Sequence, residues 1–426
     1  MDRKKQPEIK SIEDFQIKRA EEKTLSNGIK LYILRQGEED VVRLDWMLGA
    51  GNCHQDKRLV ANFTTQLLKE GCRSMNSSEI ADELDFYGSW LQLSCSHQYA
   101  YITFYALNKY ISKVMNLANE IIFLPTFPEK EFLTYKEIKK KQYTIDSQKV
   151  SYMAHCKFLE TLYGEQHPYG RTAREEDFDL IQLEWIKNFH EKYYVPDNCK
   201  VFVTGKVTPE VEKEIVHSLE QLEVKGRKMD FHETGDPQPS SKHKIVIEKK
   251  DSVQSAVMIG CPLFTRKHPD YHKFSVLNTL LGGYFGSRLM SNIREEKGYT
   301  YGIGSSITTF KNNGHFSIMS QTGVEFTKPL IDEVFKDMDR LRNEEVSEEE
   351  LDMVKMYMLG EHLRMIDGGL SIADNIISMV GNDLGYDFYD TTVTSIKETT
   401  AKDIQALARK YFNKDNFYTV VAGREE

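Results

Sequence analysis

The chain has 426 residues and a formal net charge of −9, too long for one typical core and suited to two or three domains. Its Lys and Arg are scattered rather than striped, which argues against a nucleic-acid footprint, and no apolar run approaches the roughly 18 residues that span a bilayer. The six cysteines, Cys53, Cys72, Cys95, Cys156, Cys199 and Cys261, contain no C-x-x-C pair, which argues against a disulfide framework or a structural zinc site and leaves buried, reduced thiols.

The first residues, Met1-Asp-Arg-Lys-Lys-Gln-Pro7, are charged and no apolar stretch follows. The expectation is therefore a chain without a secretory signal, cytoplasmic by default, with the periplasm as the alternative had a leader been removed. Residues 1–20 read as an N-terminal extension and 21–222 as a first domain. In that domain Val42 to Gly51 is a strand leading into a helical pattern from Leu59 to Glu70, and Ile111 to Phe123 is a second helix. Residues 223–243 are rich in Gly, Pro, Ser and charge, with no apolar periodicity, and read as a linker. The second domain, 244–426, begins in the same way: Gln254 to Pro262 is a strand, and Asp270 to Leu281 and Leu330 to Arg342 are helices. Ser347 followed by Glu350 reads as an N-cap with a capping box.

The two halves close on the same grammar. Lys192-Tyr-Tyr-Val-Pro-Asp-Asn-Cys-Lys-Val-Phe-Val-Thr-Gly205 aligns without gaps on Lys410-Tyr-Phe-Asn-Lys-Asp-Asn-Phe-Tyr-Thr-Val-Val-Ala-Gly423, with Lys192/Lys410, Tyr193/Tyr411, Asp197/Asp415, Asn198/Asn416 and Gly205/Gly423 identical. Each copy is a helix end, an Asp-Asn turn and an apolar strand stopped by glycine. The expected fold class is α+β: two similar tandem domains, each an antiparallel-rich sheet with helices packed on one face, forming a clamp.

The most informative stretch lies in the second half: Leu280-Leu-Gly-Gly-Tyr-Phe-Gly-Ser-Arg-Leu-Met-Ser-Asn-Ile-Arg-Glu-Glu-Lys-Gly-Tyr-Thr-Tyr301. It reads as a glycine turn, a short helix, a glycine stop and a strand. Arg294 falls near the helix end and Tyr301 on the strand after Gly298, so two long donors converge above a sheet. A guanidinium fork and a phenol suit a peptide carbonyl, a terminal carboxylate or a developing oxyanion. They can grip a peptide but cannot activate water. The glycines fit neither G-x-G-x-x-G nor a Walker loop, and no G-x-S-x-G elbow occurs.

This stretch resembles the substrate-gripping segment of the inverted zinc-endopeptidase family, the group of insulinase, pitrilysin and the mitochondrial processing peptidase. In that family an Arg and a Tyr seven positions apart contact substrate, and paired α+β domains enclose a chamber. Active relatives carry H-x-x-E-H on the helix after the first strand. Ligands at i and i+4 share one helix face, so both imidazoles reach one zinc with the Glu beside them as general base. Here that helix reads Leu59-Val-Ala-Asn-Phe-Thr-Thr-Gln-Leu-Leu-Lys-Glu-Gly71, and the motif positions fall on Asn62, Thr65 and Gln66. The further glutamate ligand falls near Lys141 or Gln142. Amides bind zinc poorly, Thr65 is no carboxylate base, and a lysine would repel the ion. The helix frame persists, with Leu59, Phe63 and Leu67 on one apolar face.

His54, His97, His155, His167, His190 and His268 are isolated in sequence, and Ser94-Cys-Ser-His97 with His155-Cys156 is a weak ligand set. The resemblance thus implies a non-catalytic subunit of a bacterial heterodimeric zinc peptidase. It would bind no cofactor itself, the zinc being expected in a homologous partner with an intact H-x-x-E-H, and would add unfolded peptide to an exposed sheet edge. Two alternatives stand: a homodimeric pseudo-peptidase acting as a peptide-binding or scaffold protein, and an active metallopeptidase with a displaced metal site.

Overall fold

A computed structural model describes residues 16–226, 229 and 234–425. Residues 1–15 of the expected N-terminal extension, and 227, 228 and 230–233 of the expected linker, lie outside the described residues, as does 426.

Eleven strands among the described residues form two sheets. The first contains β1 (Glu21–Thr24), β2 (Lys30–Arg35), β3 (Val41–Leu48), β4 (Trp90–Cys95), β5 (Ala100–Leu107) and β6 (Cys199–Gly205), in the order β1-β2-β6-β3-β5-β4. The second contains β7 (Lys244–Glu248), β8 (Gln254–Leu263), β9 (Thr300–Thr309), β10 (Gly314–Gly323) and β11 (Tyr418–Gly423), in the order β7-β11-β8-β10-β9. The strands that close each half, β6 and β11, hold the same place. Each pairs parallel with the first strand of its run, β2 or β7, and antiparallel with the next, β3 or β8. Apart from β1 the two sheets share one topology, and both are mostly antiparallel.

Each domain's own helices cover one face of its sheet. In the first, Val42, Leu44, Trp46 and Leu48 of β3 point into a core with Phe63, Val114, Ile122 and Ile186. In the second, Val257, Ile259 and Cys261 of β8 meet Phe274, Leu330, Val334 and Leu407. Alternate residues of the same strands feed two further cores, and these join the domains. The helix Val150–Tyr163, part of the first domain in sequence, lays Ala154, Phe158 and Leu162 on Ala256, Met258, Val420 and Ala422 of the second sheet. The helix Gly369–Gly381 returns the arrangement, packing Ile372, Ala373, Ile376 and Met379 on Leu34, Met47 and Phe202 of the first.

The expectation of helices on one face therefore holds within each domain, while the opposite face is covered by a helix lent across the boundary. This explains why β11 is buried at every position: a strand covered on both faces reads as a continuous apolar run rather than an alternating one. Full burial of one Phe or Leu side chain is worth about 1.5–3 kcal/mol, so Phe158 and Leu162 alone seat their helix firmly. Polar ties reinforce the exchange. Arg43 Nη2 lies 2.7 Å from Asp374 Oδ1, Tyr99 Oη donates to the Gly381 carbonyl at 2.8 Å, and Tyr163 Oη meets His315 Nδ1 at 2.9 Å.

Several local readings are met closely. The helix Ile111–Phe123 has the expected bounds, and Leu330 to Arg342 lies inside the helix Thr327–Asn343. The capping box at Ser347 forms only in half. Ser347 Oγ accepts from the Glu350 amide at 3.3 Å, but the Glu350 carboxylate turns away to a two-pronged pairing with Arg288 at 2.8 Å for each contact. A charge-assisted fork outweighs a single bond back to the cap.

Candidate functional site

The stretch that carries Arg294 is built from irregular helix. The helix Tyr271–Asn278 runs into a π-helical turn, Thr279–Gly283, so Gly282 and Gly283 end a helix rather than form a glycine turn. Tyr284 is extended, and a second π-helical segment spans Met290–Glu296. Leu289 and Ile293 anchor it in the second-domain core. Asn292 is buried and its amide donates to Asp337 at 2.9 Å and to Glu333 at 3.3 Å. Burial pushes the Asp337 carboxyl up, and the Asn292 amide counters that. With Asn292 and Ile293 fixed inward, Arg294 projects outward in the last turn.

Its guanidinium carbon lies 4.8 Å from the centre of the Phe285 ring, a cation–π contact worth about 0.5–1 kcal/mol where exposed. Phe285 is a functional-site neighbour that the sequence reading passed over. The signal was a large aromatic held between glycines, Gly283 and Gly286, and left 66 % exposed.

Tyr301 is placed by a different device. After Gly298, whose φ of +67° lies in the left-handed region that glycine enters without strain, β9 pairs with β10. Ile303 opposes Ser320 and Thr300 opposes Thr322, so Tyr301 and Gly302 together face the single residue Gln321. That is a β-bulge, which kinks a strand and re-aims its side chains. Thr300 Oγ1 stabilises it by taking the Gly302 amide at 3.1 Å and donating to the Gln321 carbonyl at 2.6 Å. Tyr301 is left 94 % exposed, and among the described residues no hydrogen bond reaches its hydroxyl. Arg294 and Tyr301 line one open cavity of about 630 Å³ at the end of β9, and β9 is an edge strand with pairing on one side only.

The helix Val60–Leu67 is the counterpart with its polar positions closed inward. Its frame is as expected, Phe63 and Leu67 each being 1 % exposed, except that Leu59 sits before the helix as its N-cap, with φ of +74°. Thr65 is buried: its hydroxyl donates to the Ala61 carbonyl at 2.9 Å and accepts from Tyr194 Oη at 2.7 Å. Burial holds the Tyr194 phenol protonated, its pKa well above the ordinary value. The Gln66 amide donates to the Leu93 carbonyl of β4 at 3.0 Å, and Asn62 Oδ1 lies 3.5 Å from Tyr135 Oη.

Tyr135 thus stands opposite Asn62 from the helix Glu129–Asp146. Lys141 and Gln142 do not: both are exposed and bound within their own helix, Lys141 to Glu137 at 2.6 Å and Gln142 to Asp146 at 2.8 Å. Nearly two helix turns separate Tyr135, which reaches Asn62, from the pair expected there. These donors do not fit zinc. Two of them are amides, one spent on a backbone carbonyl, and the third is a hydroxyl saturated by a phenol. His97 lies edge-on to Phe310 at 4.7 Å in the aromatic seam between the domains, and burial pulls it down to about 4. Among the described residues no three His, Cys, Asp or Glu side chains gather as a metal site.

Residues 181–358 match the family described as peptidase M16 inactive domain, a span that includes Arg294 and Tyr301. A Bacillus subtilis protein named uncharacterized zinc protease YmxG is 22 % identical over 404 residues, covering 92 % of this chain and 95 % of its own length. A crystal structure of a peptidase M16 inactive domain from Pseudomonas fluorescens superposes with a TM-score of 0.86 at 24 % identity, over 96 % of this chain and 98 % of that one. The chain is thus similar to peptidase M16 proteins along nearly its whole length, and its residues 181–358 match the family's inactive-domain description. The description of that match is an inactive domain, and the helix Val60–Leu67 with its amides and hydroxyl lies outside the matched span. The M16 fold seen here is also found in the periplasmic protease PqqL of Escherichia coli, with a TM-score of 0.79 at 15 % identity; there it covers 99 % of this chain but 48 % of that chain. No helix among the described residues is long and apolar enough to cross a membrane.

Proposed function

We propose that this chain is the non-catalytic, peptide-gripping subunit of a heterodimeric zinc peptidase. It binds unfolded peptide with Arg294 and Tyr301 and presents it to a zinc held by a homologous chain with an intact H-x-x-E-H, while binding no metal itself. The observation that carries the reading is the bulge that turns Tyr301 out of β9 into the cavity of Arg294, two donors with almost no internal partner. Groups left unsatisfied and held by rigid elements suit a ligand that completes them. The open side of β9 offers backbone groups to an added strand, which gives affinity without demanding one sequence.

Mixing this protein with the homologous chain that carries the intact motif should produce peptide hydrolysis that neither shows alone. Arg294→Ala should cut kcat/KM of the mixture by roughly 100-fold and Tyr301→Phe by about 10-fold. No gain on mixing, or a gain indifferent to both substitutions, rejects the subunit role. Chelator-sensitive hydrolysis by this chain alone would favour the displaced-metal alternative instead.

A further inference from the structure

The cavity that holds Arg294 and Tyr301 contains groups that gripping a carbonyl does not use. Two carboxylates line it, Glu295 and Glu325. Glu295 lies 3.8 Å from Arg294 and is partly neutralised by it. Glu325 belongs to the short turn Val324–Phe326 that follows β10, and its carboxylate is folded back over Gly323 so closely that a Cβ there would sit 2.9 Å from both oxygens. Among the described residues no cation pairs with Glu325. Beside it, the Phe326 ring stacks on Tyr299 at 5.1 Å, with the planes 16° apart, and both rings line the cavity. The charged lining is thus one guanidinium against two carboxylates, with an aromatic wall next to the unpaired one.

An anionic or neutral ligand would satisfy Arg294 and leave Glu325 unmatched. A ligand with a carbonyl and a cation one side chain apart would use every group. We infer that the cavity reads a basic residue: a peptide whose Lys or Arg lies beside the carbonyl held by Arg294 and Tyr301, its charged head on Glu325 and its aliphatic stem along Phe326 and Tyr299. Long basic side chains bury their stems on apolar surface while keeping the head at a carboxylate. Glu325 is then the specificity-determining residue of the grip.

This inference rests on the peptide-gripping reading, and one experiment separates the two. Fluorescence anisotropy with the full chain alone would compare three labelled unfolded peptides identical except for one position, Lys, Gln or Glu. The Lys peptide should bind about 5-fold tighter than the Gln peptide at low salt, the scale of a partly exposed ion pair, and the preference should shrink as salt rises. Glu325→Gln should abolish the preference for Lys over Gln, and Glu325→Lys should move it to the Glu peptide. Equal binding of all three peptides, or a preference that survives Glu325→Gln, overturns the inference and leaves the grip standing. Arg294→Ala should weaken all three alike. If it weakens none, or if no peptide binds, the grip itself fails.

Discussion

The two domains contain the same helix–glycine–edge-strand unit, and only one of them turns a pair of donors outward. In the first domain the helix Ser77–Phe86 leads through Gly88, at φ +59°, to the edge strand β4 beginning at Trp90. In the second, the helical segment ending at Glu296 leads through Gly298, at φ +67°, to the edge strand β9 beginning at Thr300. Counting from the glycine, Leu84 and Leu91 occupy the places of Arg294 and Tyr301, and both line a smaller cavity of about 310 Å³. They pack against the first-domain core. β4 pairs with β5 without a bulge. The same frame therefore makes packing surface in one domain and an outward-facing donor pair in the other. The difference lies in two side chains and one extra residue in a strand.

The neighbouring helix Val60–Leu67 sharpens the contrast, because its polar positions are bonded inward while Arg294 and Tyr301 point outward. If it is now scaffold, Phe63→Ala should cost about 3–5 kcal/mol, read as the shift in urea midpoint. A change under 1 kcal/mol would contradict that role.

Acid should act on the same side of the molecule. His190 stacks on Tyr194 at 5.0 Å, donates to the Ile122 carbonyl at 2.8 Å, and is pulled by burial to about 4. A histidine whose folded pKa is depressed contributes stability above its unfolded value, near 6.5, that is lost as pH falls. The loss should reach about 3 kcal/mol by pH 4, and His190→Gln should make the fall shallower by about one proton. No histidine among the described residues lines the Arg294 cavity, so hydrogen exchange in Met290–Glu296 should respond to acid less than that around Val60–Leu67.

Thr65→Val removes the partner of a fully buried phenol and should cost about 1–3 kcal/mol by thermal melting. Smallest of all, Arg294→Ala and Tyr301→Phe should each change stability by no more than about 0.5 kcal/mol, although they are the substitutions expected to harm peptide handling most. A large loss of stability at Tyr301 would mean that its ring packs like Leu91.

Much of this was legible in the chain. The Asp-Asn turns at Asp197 and Asp415 followed by glycine-stopped strands located β6 and β11 in matching central places, since local turn chemistry and apolar runs need no distant contact to be read. The resemblance implied that Asn62, Thr65 and Gln66 stand at ligand positions, and their side-chain chemistry argued against zinc there. The partners of those residues were not legible: Tyr194 and Leu93 lie far along the chain, and which side chain of the helix Glu129–Asp146 reaches Asn62 is set by packing, not by spacing. Glu350 followed the same rule when Arg288, distant in sequence, drew it from its cap.

The chain by itself thus determined two similar α+β halves, a helix without zinc ligands, and Arg294 and Tyr301 seven residues apart around a glycine stop. Those properties are local, fixed by periodicity, turn residues and the chemistry of single side chains. Only the tertiary structure decided that each sheet is roofed by a helix from the other domain, and that a bulge paired against Gln321 turns Tyr301 into the cavity of Arg294. Both depend on which distant strand or helix lies alongside, and a side chain's direction follows from that neighbour.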